Sequence, residues 1–230
     1  MKKIYLVIVT AIIVLASAAV SEPIPPPSQL IIRRAEAESG DRDAQFILGA
    51  MYLNGEGTAR DDVEAKKWFL KSAEQGEPRA QMAMGMMYKT GRGGEQDYAK
   101  AAGWYRKSAE QGNSQAQDNL GVLYRDGNGV EQDYAAAAEW FGKAAAQGDN
   151  EGLLNLGVAY FRGQGVPKDD AKAAQLFLQS AQQGNVNAQY NIGVFLENGI
   201  GVTEDKAAAM EWFRRAADKG HEDAKTKLGQ

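Results

Sequence analysis

Residues 116–151 read AQDNLGVLYRDGNGVEQDYAAAAEWFGKAAAQGDNE, and this 36-residue pattern occurs five times in succession without insertion or deletion. The five copies occupy residues 44–79, 80–115, 116–151, 152–187 and 188–223. A fixed period of this length is typical of solenoids, in which stacked helical units bury a continuous core between them. The sequence therefore predicts an all-α protein whose body is one unit used five times.

Each unit predicts two helices joined by a short glycine loop. Leu120, Leu123 and Tyr124 follow the i, i+3, i+4 spacing of a buried helical face. Gly127 is expected to end this first helix, because the residue after a helix often takes a left-handed conformation. An aspartate is expected to cap the second helix, since a carboxylate can accept its free N–H groups. That slot holds Asp61, Asp97, Asp133, Asp169 and Asp205.

The second helix carries a pair of aromatic residues, Trp140 and Phe141 in the third unit. We expect these rings to be core, because large aromatic side chains dominate packing between helices and a cofactor site would not repeat in every unit. Gly148 is expected to close the helix. The next helix begins at a polar N-cap slot, which holds Asp41, Asn113, Asp149 and Asn185.

Two partial units flank the five copies. Residues 29–43 align with the second half of a unit and predict a lone helix that covers the first repeat. Arg33 takes a slot there that is Phe or Tyr elsewhere, a polar change expected of an end cap. Residues 224–230 begin a sixth copy and predict a short helix over the last pair. Residues 29–230 are therefore expected to form one elongated domain.

Residues 1–21 have the features of an export signal. Two lysines precede an apolar run from Ile4 to Leu15, and four small residues follow, which fits a signal peptide with its cleavage site. An uncleaved anchor is the alternative, because the uncharged stretch approaches the roughly 20 residues that span a bilayer. Residues 22–28 form a proline-rich linker. We expect a periplasmic or secreted protein, anchored to the inner membrane if the segment stays uncleaved.

The charge balance argues against nucleic acid as a partner. The chain has 26 basic and 30 acidic residues, and 24 basic residues remain without Lys2 and Lys3. Nucleic-acid binding rests on clustered Lys and Arg that face phosphates, which an acidic balance does not favour. No second apolar run follows the signal segment, so no further membrane contact is expected.

Residues suited to catalysis or metal binding are sparse. The chain has no cysteine and one histidine, His221, so no conventional zinc set is available. His221 stands in the slot held elsewhere by Asn or Asp, which favours a capping role over a catalytic triad. The paired glycines lack the strand and the Lys-Ser/Thr of a phosphate-binding loop, so they predict turns. We therefore predict no enzyme, no metal site and no cofactor.

The recurring pattern is LG-x-x-Y, G-x-G-V, D-x-x-x-A, a W-F pair and A-x-x-G. Its first glycine is Gly49, Gly85, Gly121, Gly157 and Gly193, its tyrosine is Tyr52, Tyr88, Tyr124 and Tyr160, and its tryptophan is Trp68, Trp104, Trp140 and Trp212. Over residues 29–230 the chain resembles the Sel1-like repeat family, a branch of the tetratricopeptide-like α-solenoids. The departures, which all exchange packing residues, are Thr58 and Gly94 for Val, Leu176 for Trp, Leu196 for Tyr and Gly152 for Ala.

This resemblance implies a right-handed α-solenoid superhelix of helix-turn-helix repeats, with the first helices lining the concave face. It also implies a role in protein–protein contact, often as an adaptor or regulator. Exported bacterial members are associated with envelope assembly, envelope signalling and host interaction, and the resemblance does not choose among these roles.

Positions that differ between units while the scaffold stays fixed are the candidates for partner contact. The fourth position of the first helix is Asn119, Asn155 and Asn191 in three successive units. A ladder of carboxamides can bond both the C=O and the N–H groups of an extended peptide backbone. The alternative is that these asparagines are ordinary solvated side chains on an exposed helix.

Neighbouring positions on the same helices would support such contacts. The third position holds Phe46, Met82, Leu154 and Tyr190, with Asp118 as the exception. Apolar anchors beside Asn and Arg suit a peptide groove, although the same residues could be partly buried repeat packing. The predicted groove site is completed by Tyr190, Arg125 and Arg162.

The leading hypothesis is an exported interaction module that binds a protein or peptide segment in its concave groove and performs no chemistry. The runner-up is a cell-wall or envelope hydrolase, which predicts a titratable cluster that breaks the repeat pattern in one unit. A third hypothesis is a structural scaffold without a peptide ligand, which predicts concentration-dependent self-association.

Overall fold

The structure is a computed structural model that describes residues 29–229. Within this part of the chain it contains twelve α-helices and no strand. They are α1 (Gln29–Glu38), α2 (Arg42–Asn54), α3 (Asp62–Glu74), α4 (Pro78–Thr90), α5 (Tyr98–Glu110), α6 (Ser114–Asp126), α7 (Tyr134–Ala146), α8 (Asn150–Arg162), α9 (Asp170–Gln182), α10 (Val186–Asn198), α11 (Lys206–Asp218) and α12 (Glu222–Lys227). The predicted signal segment 1–21 and linker 22–28 lie outside the described residues.

Five helix pairs, α2–α3 to α10–α11, stack in chain order. Each first helix packs on the second helix of its own pair, and each second helix packs on the first helix of the next pair. The helix α1 packs on the first pair and α12 packs on the last. The predicted all-α repeat solenoid is confirmed.

The capping residues behave as the sequence predicts. The Asp133 carboxylate accepts hydrogen bonds from the N–H groups of Ala135 and Ala136 at 2.9 Å, and thereby begins α7. Gly127 ends α6 in the left-handed region, with φ of 69°. His221 caps α12, because its Nδ1 accepts a hydrogen bond from the Ala224 N–H at 3.3 Å.

The first glycine of the repeat makes room for a buried ring of the second helix. A Cβ atom on Gly121 would lie 2.6 Å from the Phe141 ring, which is only 2% exposed. The same contact recurs in every repeat, so the glycine is a packing requirement. The neighbouring tryptophans vary: Trp68 is buried, at 7% exposed, whereas those of the second, third and fifth repeats are half-buried. The Lys143 Nζ stands 3.9 Å from the Trp140 ring centre.

The second glycine of the loop is required by contact between repeats. Gly129 has φ of 70°, and a Cβ there would lie 2.2 Å from the Tyr98 backbone carbon of the preceding repeat. The loop therefore rests directly on the start of the previous second helix, and Gly is needed for conformation and for space.

Side-chain hydrogen bonds also join helices within a pair and between successive pairs. Ser108 Oγ donates to the Pro78 carbonyl oxygen at 2.7 Å. Gln117 donates to the Ala109 carbonyl oxygen at 3.0 Å and accepts from Gln147 at 2.8 Å. Because buried polar groups need such partners, these bonds help to fix how the helices of a pair, and successive pairs, pack on one another.

Candidate partner-binding groove

The first helices lie on the inner side of the curvature. First helices of neighbouring repeats contact one another directly, α4 with α6 and α6 with α8, whereas the second helices lie further apart in the described part of the chain. The surface between first helices is therefore concave. We call it the groove and define it by the third, fourth, tenth and eleventh positions of these helices. Three clefts of about 280 to 400 Å³ open along it.

Asn119 bridges two repeats inside the groove. Its Oδ1 accepts a hydrogen bond from the Lys89 Nζ at 3.0 Å, and its Nδ2 donates to the Gln115 carbonyl oxygen at 2.9 Å. Lys89 occupies the tenth position of the preceding repeat. The carboxamide is thus engaged at both ends, although its oxygen and its NH₂ group each keep capacity for one more bond.

Asn155 makes the equivalent bridge one repeat later. Its Oδ1 accepts from the Arg125 Nη1 at 3.2 Å, and its Nδ2 donates to the Asp118 Oδ1 at 2.7 Å. Arg125 is also held by Asp126, which accepts from its Nε at 2.7 Å and from its Nη2 at 3.1 Å. Tenth-position cations therefore pair with fourth-position asparagines at two successive junctions.

Asn191 differs, because the tenth position before it is Phe161 rather than a cation. Among the described residues its carboxamide has no hydrogen-bond partner, which leaves both ends available. It lines a cleft of about 280 Å³ together with Phe161, Arg162, Tyr190 and Val194. Arg162 is exposed and forms no ion pair with any residue from 29 to 229.

Tyr190 is held in place by two aromatic neighbours. Its ring stacks on His221 with centroids 4.4 Å apart and an interplanar angle of 17°. The Phe213 ring lies 5.7 Å away on the second helix of the same repeat. This packing makes Tyr190 a rigid, half-buried wall of the cleft.

The structure thus places the six predicted residues in two groups. One group belongs to the hydrogen-bonded junctions of the third and fourth repeats, and comprises Asn119, Arg125 and Asn155. The other group lines the cleft nearer the C-terminus, and comprises Arg162, Tyr190 and Asn191. The third-position residue Leu154 is 7% exposed and belongs to the core, so at that position the packing interpretation is right.

Asp118 is the groove residue that the sequence prediction left out. It takes the third position, where the other units have Phe, Met, Leu or Tyr, and it is only 8% exposed. Burial raises the pKa of its carboxyl group from 3.8 to about 6. The hydrogen bond from Asn155 lowers the pKa, and the charges of Asp149 and Glu151 raise it further. A charged residue at an apolar slot was the sequence signal that could have found it.

Asp118 lies at the side of a cleft that we call the acidic cleft. This cleft has a volume of about 400 Å³ and also contains Asp149 and Glu151 from the N-terminal end of α8. Its other side carries Lys89 and Thr90. Three carboxyl groups therefore share the space with one lysine, which already donates to Asn119.

An apolar cleft of about 380 Å³ lies next to the acidic cleft. It is lined by Phe46, Ala50 and Leu53 from the first repeat and by Met82 and Met86 from the second. Both methionines also line the acidic cleft. The two clefts are therefore continuous, and the groove presents an apolar surface beside a negatively charged one.

Within residues 29–229, no three His, Cys, Asp or Glu side chains are arranged to hold a metal ion. No helix in the same part of the chain is long and apolar enough to span a membrane.

The pattern of the Sel1 repeat matches residues 42–77, 78–113, 114–149, 150–185 and 186–221. The chain belongs to the Sel1 repeat family. These matches begin two residues before the units defined above and follow the same 36-residue period. No curated protein matches the chain significantly.

Solved structures with this repeat resemble the chain closely. A Sel1 repeat protein from Oxalobacter formigenes is 28% identical, with a TM-score of 0.77 and 86% of each chain covered. The protein c5321, a protective antigen present in uropathogenic Escherichia coli strains and displaying an SLR fold, is 35% identical with a TM-score of 0.61. That comparison covers 88% of this chain and 51% of c5321, so the chain spans about half of it.

A Sel1 repeat protein from Klebsiella pneumoniae subsp. pneumoniae is 23% identical, with a TM-score of 0.57 over 87% of this chain and 97% of its own. At that identity the likeness shows the fold alone. Sel1 repeats are generally non-catalytic modules for protein–protein interaction. The family thus supplies the class of function, and the groove residues supply the candidates for specificity.

Proposed function

We propose that this Sel1 repeat protein is an exported interaction module that binds an extended segment of a partner protein in the groove. The observation that carries the proposal is the series of three clefts along the first helices, each of which combines apolar walls with polar groups. Binding sites for extended peptides combine these features, because apolar anchors supply affinity and polar groups fix the register.

The C-terminal cleft supports this proposal most directly. Asn191 has a carboxamide with no partner among the described residues, and it lines the same cleft as the stacked Tyr190 ring and the exposed Arg162. A carboxamide can accept from a peptide N–H and donate to a peptide C=O at once. Arg162 can bind a carboxylate of the partner through two parallel hydrogen bonds.

Peptide selection on the purified full chain tests the proposal. Peptides selected from a random displayed library would be synthesised and their affinities compared on two triple variants. The groove variant combines Asn119→Ala, Asn155→Ala and Asn191→Ala. The matched control combines Glu139→Ala, Gln175→Ala and Glu211→Ala, which are exposed residues on the second helices of the same three repeats.

We expect the groove variant to bind selected peptides at least about tenfold more weakly, since several backbone hydrogen bonds of about 1 kcal/mol each would be lost. The control should bind like the wild type. Circular dichroism shows whether both variants fold. A folded groove variant with unchanged affinity contradicts the proposal.

Export is the second part of the proposal, and it rests on residues 1–21. The lysines, the apolar run and the small residues together support secretion across the inner membrane. A reporter enzyme that is active only outside the cytoplasm, fused after residue 28, should be active. The same reporter fused to residues 29–230 alone should be silent, and equal activity of the two fusions would contradict export.

A further inference from the structure

The Asp118 carboxylate has only one hydrogen bond for two oxygens. Its Oδ1 accepts from the Asn155 Nδ2 at 2.7 Å, and no donor among residues 29–229 reaches its Oδ2. No cation in that part of the chain forms an ion pair with it. The residue is only 8% exposed and its side chain lines an open cleft, so its carboxylate is partly desolvated with a single hydrogen bond to offset the cost.

Lys89, which lines the same cleft, and Arg125, whose charge acts on Asp118, are both engaged with other acceptors. The Lys89 Nζ donates to the Asn119 Oδ1 at 3.0 Å. The Arg125 guanidinium makes two hydrogen bonds to Asp126, at 2.7 and 3.1 Å, and one to Asn155 at 3.2 Å. Neither side chain forms an ion pair with Asp118, and the Arg125 charge acts on it only through space.

The other carboxyl groups of the acidic cleft reinforce its negative potential. Asp149 accepts from the Ser114 hydroxyl at 3.0 Å and from the Gly152 N–H at 3.0 Å. Glu151 accepts from the Asn185 Nδ2 at 2.8 Å. All of these partners are neutral donors, so they orient the carboxylates without cancelling their charge. A cleft lined by one sign of charge with low-dielectric walls concentrates its field on an incoming ligand.

The walls of the acidic cleft suit an aliphatic stem that ends in a cation. Met82 and Met86 line it beside Tyr105, and flexible methionine side chains adapt to irregular apolar shapes. Lysine and arginine bury their methylene stems on such surfaces while the charged end reaches a polar group. The apolar cleft that shares both methionines can take the neighbouring apolar residue of the same segment.

We propose that the acidic cleft binds a lysine or arginine side chain of the partner segment, whose cationic end pairs with Asp118. This inference rests on the proposed function and names the chemistry of its partner: a segment with a basic residue beside an apolar one. Charge complementarity selects this occupant, since an acidic or neutral segment would leave Asp118 desolvated and unpaired.

Peptide selection on two closely matched variants tests the inference. Asp118→Asn removes the charge and keeps an oxygen that can accept from Asn155. Glu139→Gln makes the same carboxylate-to-amide change on an exposed face of a second helix. Random displayed peptides would be selected on the full-length wild type and on each variant. One selected basic peptide would then be synthesised with its lysine or with norleucine, which keeps the stem and removes the charge.

Wild type and Glu139→Gln are expected to select peptides enriched in Lys or Arg at one position, and Asp118→Asn is expected to lose that enrichment. The lysine peptide should bind Asp118→Asn about tenfold more weakly than wild type, whereas the norleucine peptide should lose no affinity on Asp118→Asn. Peptides selected without a basic position, or an equal lysine preference on Asp118→Asn, would overturn the inference and leave the proposed function standing. Failure of the wild type to retain any peptide would overturn both.

Discussion

The Asn155 Nδ2 donates to the Asp118 Oδ1 at 2.7 Å, and this bond joins the fourth position of one first helix to the third position of the helix before it. It places a predicted groove residue in direct contact with the one buried carboxylate found in the groove among the described residues. The same Asn155 accepts from Arg125, so a single carboxamide connects a cation and an anion across the repeat junction. We therefore expect a ligand that binds Arg125 to change the affinity of Asp118 for a ligand, and the reverse.

Asp118→Asn should stabilise the protein at neutral pH. Its carboxyl has a pKa of about 6 in the folded chain and an ordinary value of 3.8, so between these values the folded state binds the extra proton. The free energy of unfolding of the wild type should therefore fall as pH rises through this window, whereas the variant should lack this loss. At pH 8 the variant should be more stable by at most about 3 kcal/mol, given about 1.4 kcal/mol per pKa unit.

Urea denaturation at pH 3.5 and at pH 8 measures this difference. The two proteins should unfold nearly alike at pH 3.5, where the carboxyl is protonated in the folded state and mostly protonated in the unfolded state. If the wild type and Asp118→Asn were equally stable at both pH values, burial would not raise the pKa of the Asp118 carboxyl, and this prediction would be wrong.

Gly157→Ala should destabilise the fold while Gly142→Ala should not. A Cβ on Gly157 would lie 2.7 Å from the buried Phe177 ring, so we expect a loss of about 1–3 kcal/mol from overpacking. Gly142 is also helical but meets no atom within 4 Å, so alanine there should gain about 0.5–1 kcal/mol. Thermal or urea unfolding compares the two variants. If Gly157→Ala were as stable as the wild type, contact with the Phe177 ring would not be what requires glycine at position 157.

Lys219→Gln should stabilise the packing of the last helix pair, α10 on α11. Gln117 accepts from Gln147 at 2.8 Å, but the equivalent Gln189 Oε1 is buried with no partner among the described residues. Lys219 stands in the donor position and instead donates to the Gly184 carbonyl oxygen at 2.9 Å. Glutamine there should satisfy the orphaned oxygen and add about 1 kcal/mol to the free energy of unfolding.

The reverse exchange, Gln147→Lys, is the matched control for this prediction. It should remove the donor from Gln117 and lower the stability by a similar amount. If neither exchange moved the unfolding midpoint, this contact between the two helices of a pair would contribute nothing measurable to stability.

The sequence predicted the fold well because its signals are local and repeated. The left-handed Gly127, the Asp133 cap and the His221 cap each depend on residues within a few positions, and each was confirmed. The contact that requires the second glycine of the loop could not be predicted from neighbouring residues. Gly129 contacts Tyr98 of the preceding repeat, and that approach depends on how repeats are rotated against each other.

The groove was harder to predict for the same reason. The asparagines stand out in an alignment of the units, but their partners come from the previous repeat, as Lys89 does for Asn119. Asn191 lacks the partner that Asn119 and Asn155 have, because Phe161 takes the place of a cation at the tenth position of the preceding repeat. Asp118 was visible as an exception in its column, and only its burial beside Asp149 and Glu151 marks it as a candidate site.

Site-specific photo-crosslinking in the native cells tests the central claim most directly. A photoreactive phenylalanine analogue at Tyr190 would face the groove, and the same analogue at Gln175 would lie on an exposed second-helix surface. We predict a discrete adduct to one partner protein from position 190 that disappears when Asn155 and Asn191 are changed to alanine, and no such adduct from position 175. Adducts that form equally from both positions, or that persist without the asparagines, would contradict the assignment of the groove as the binding surface.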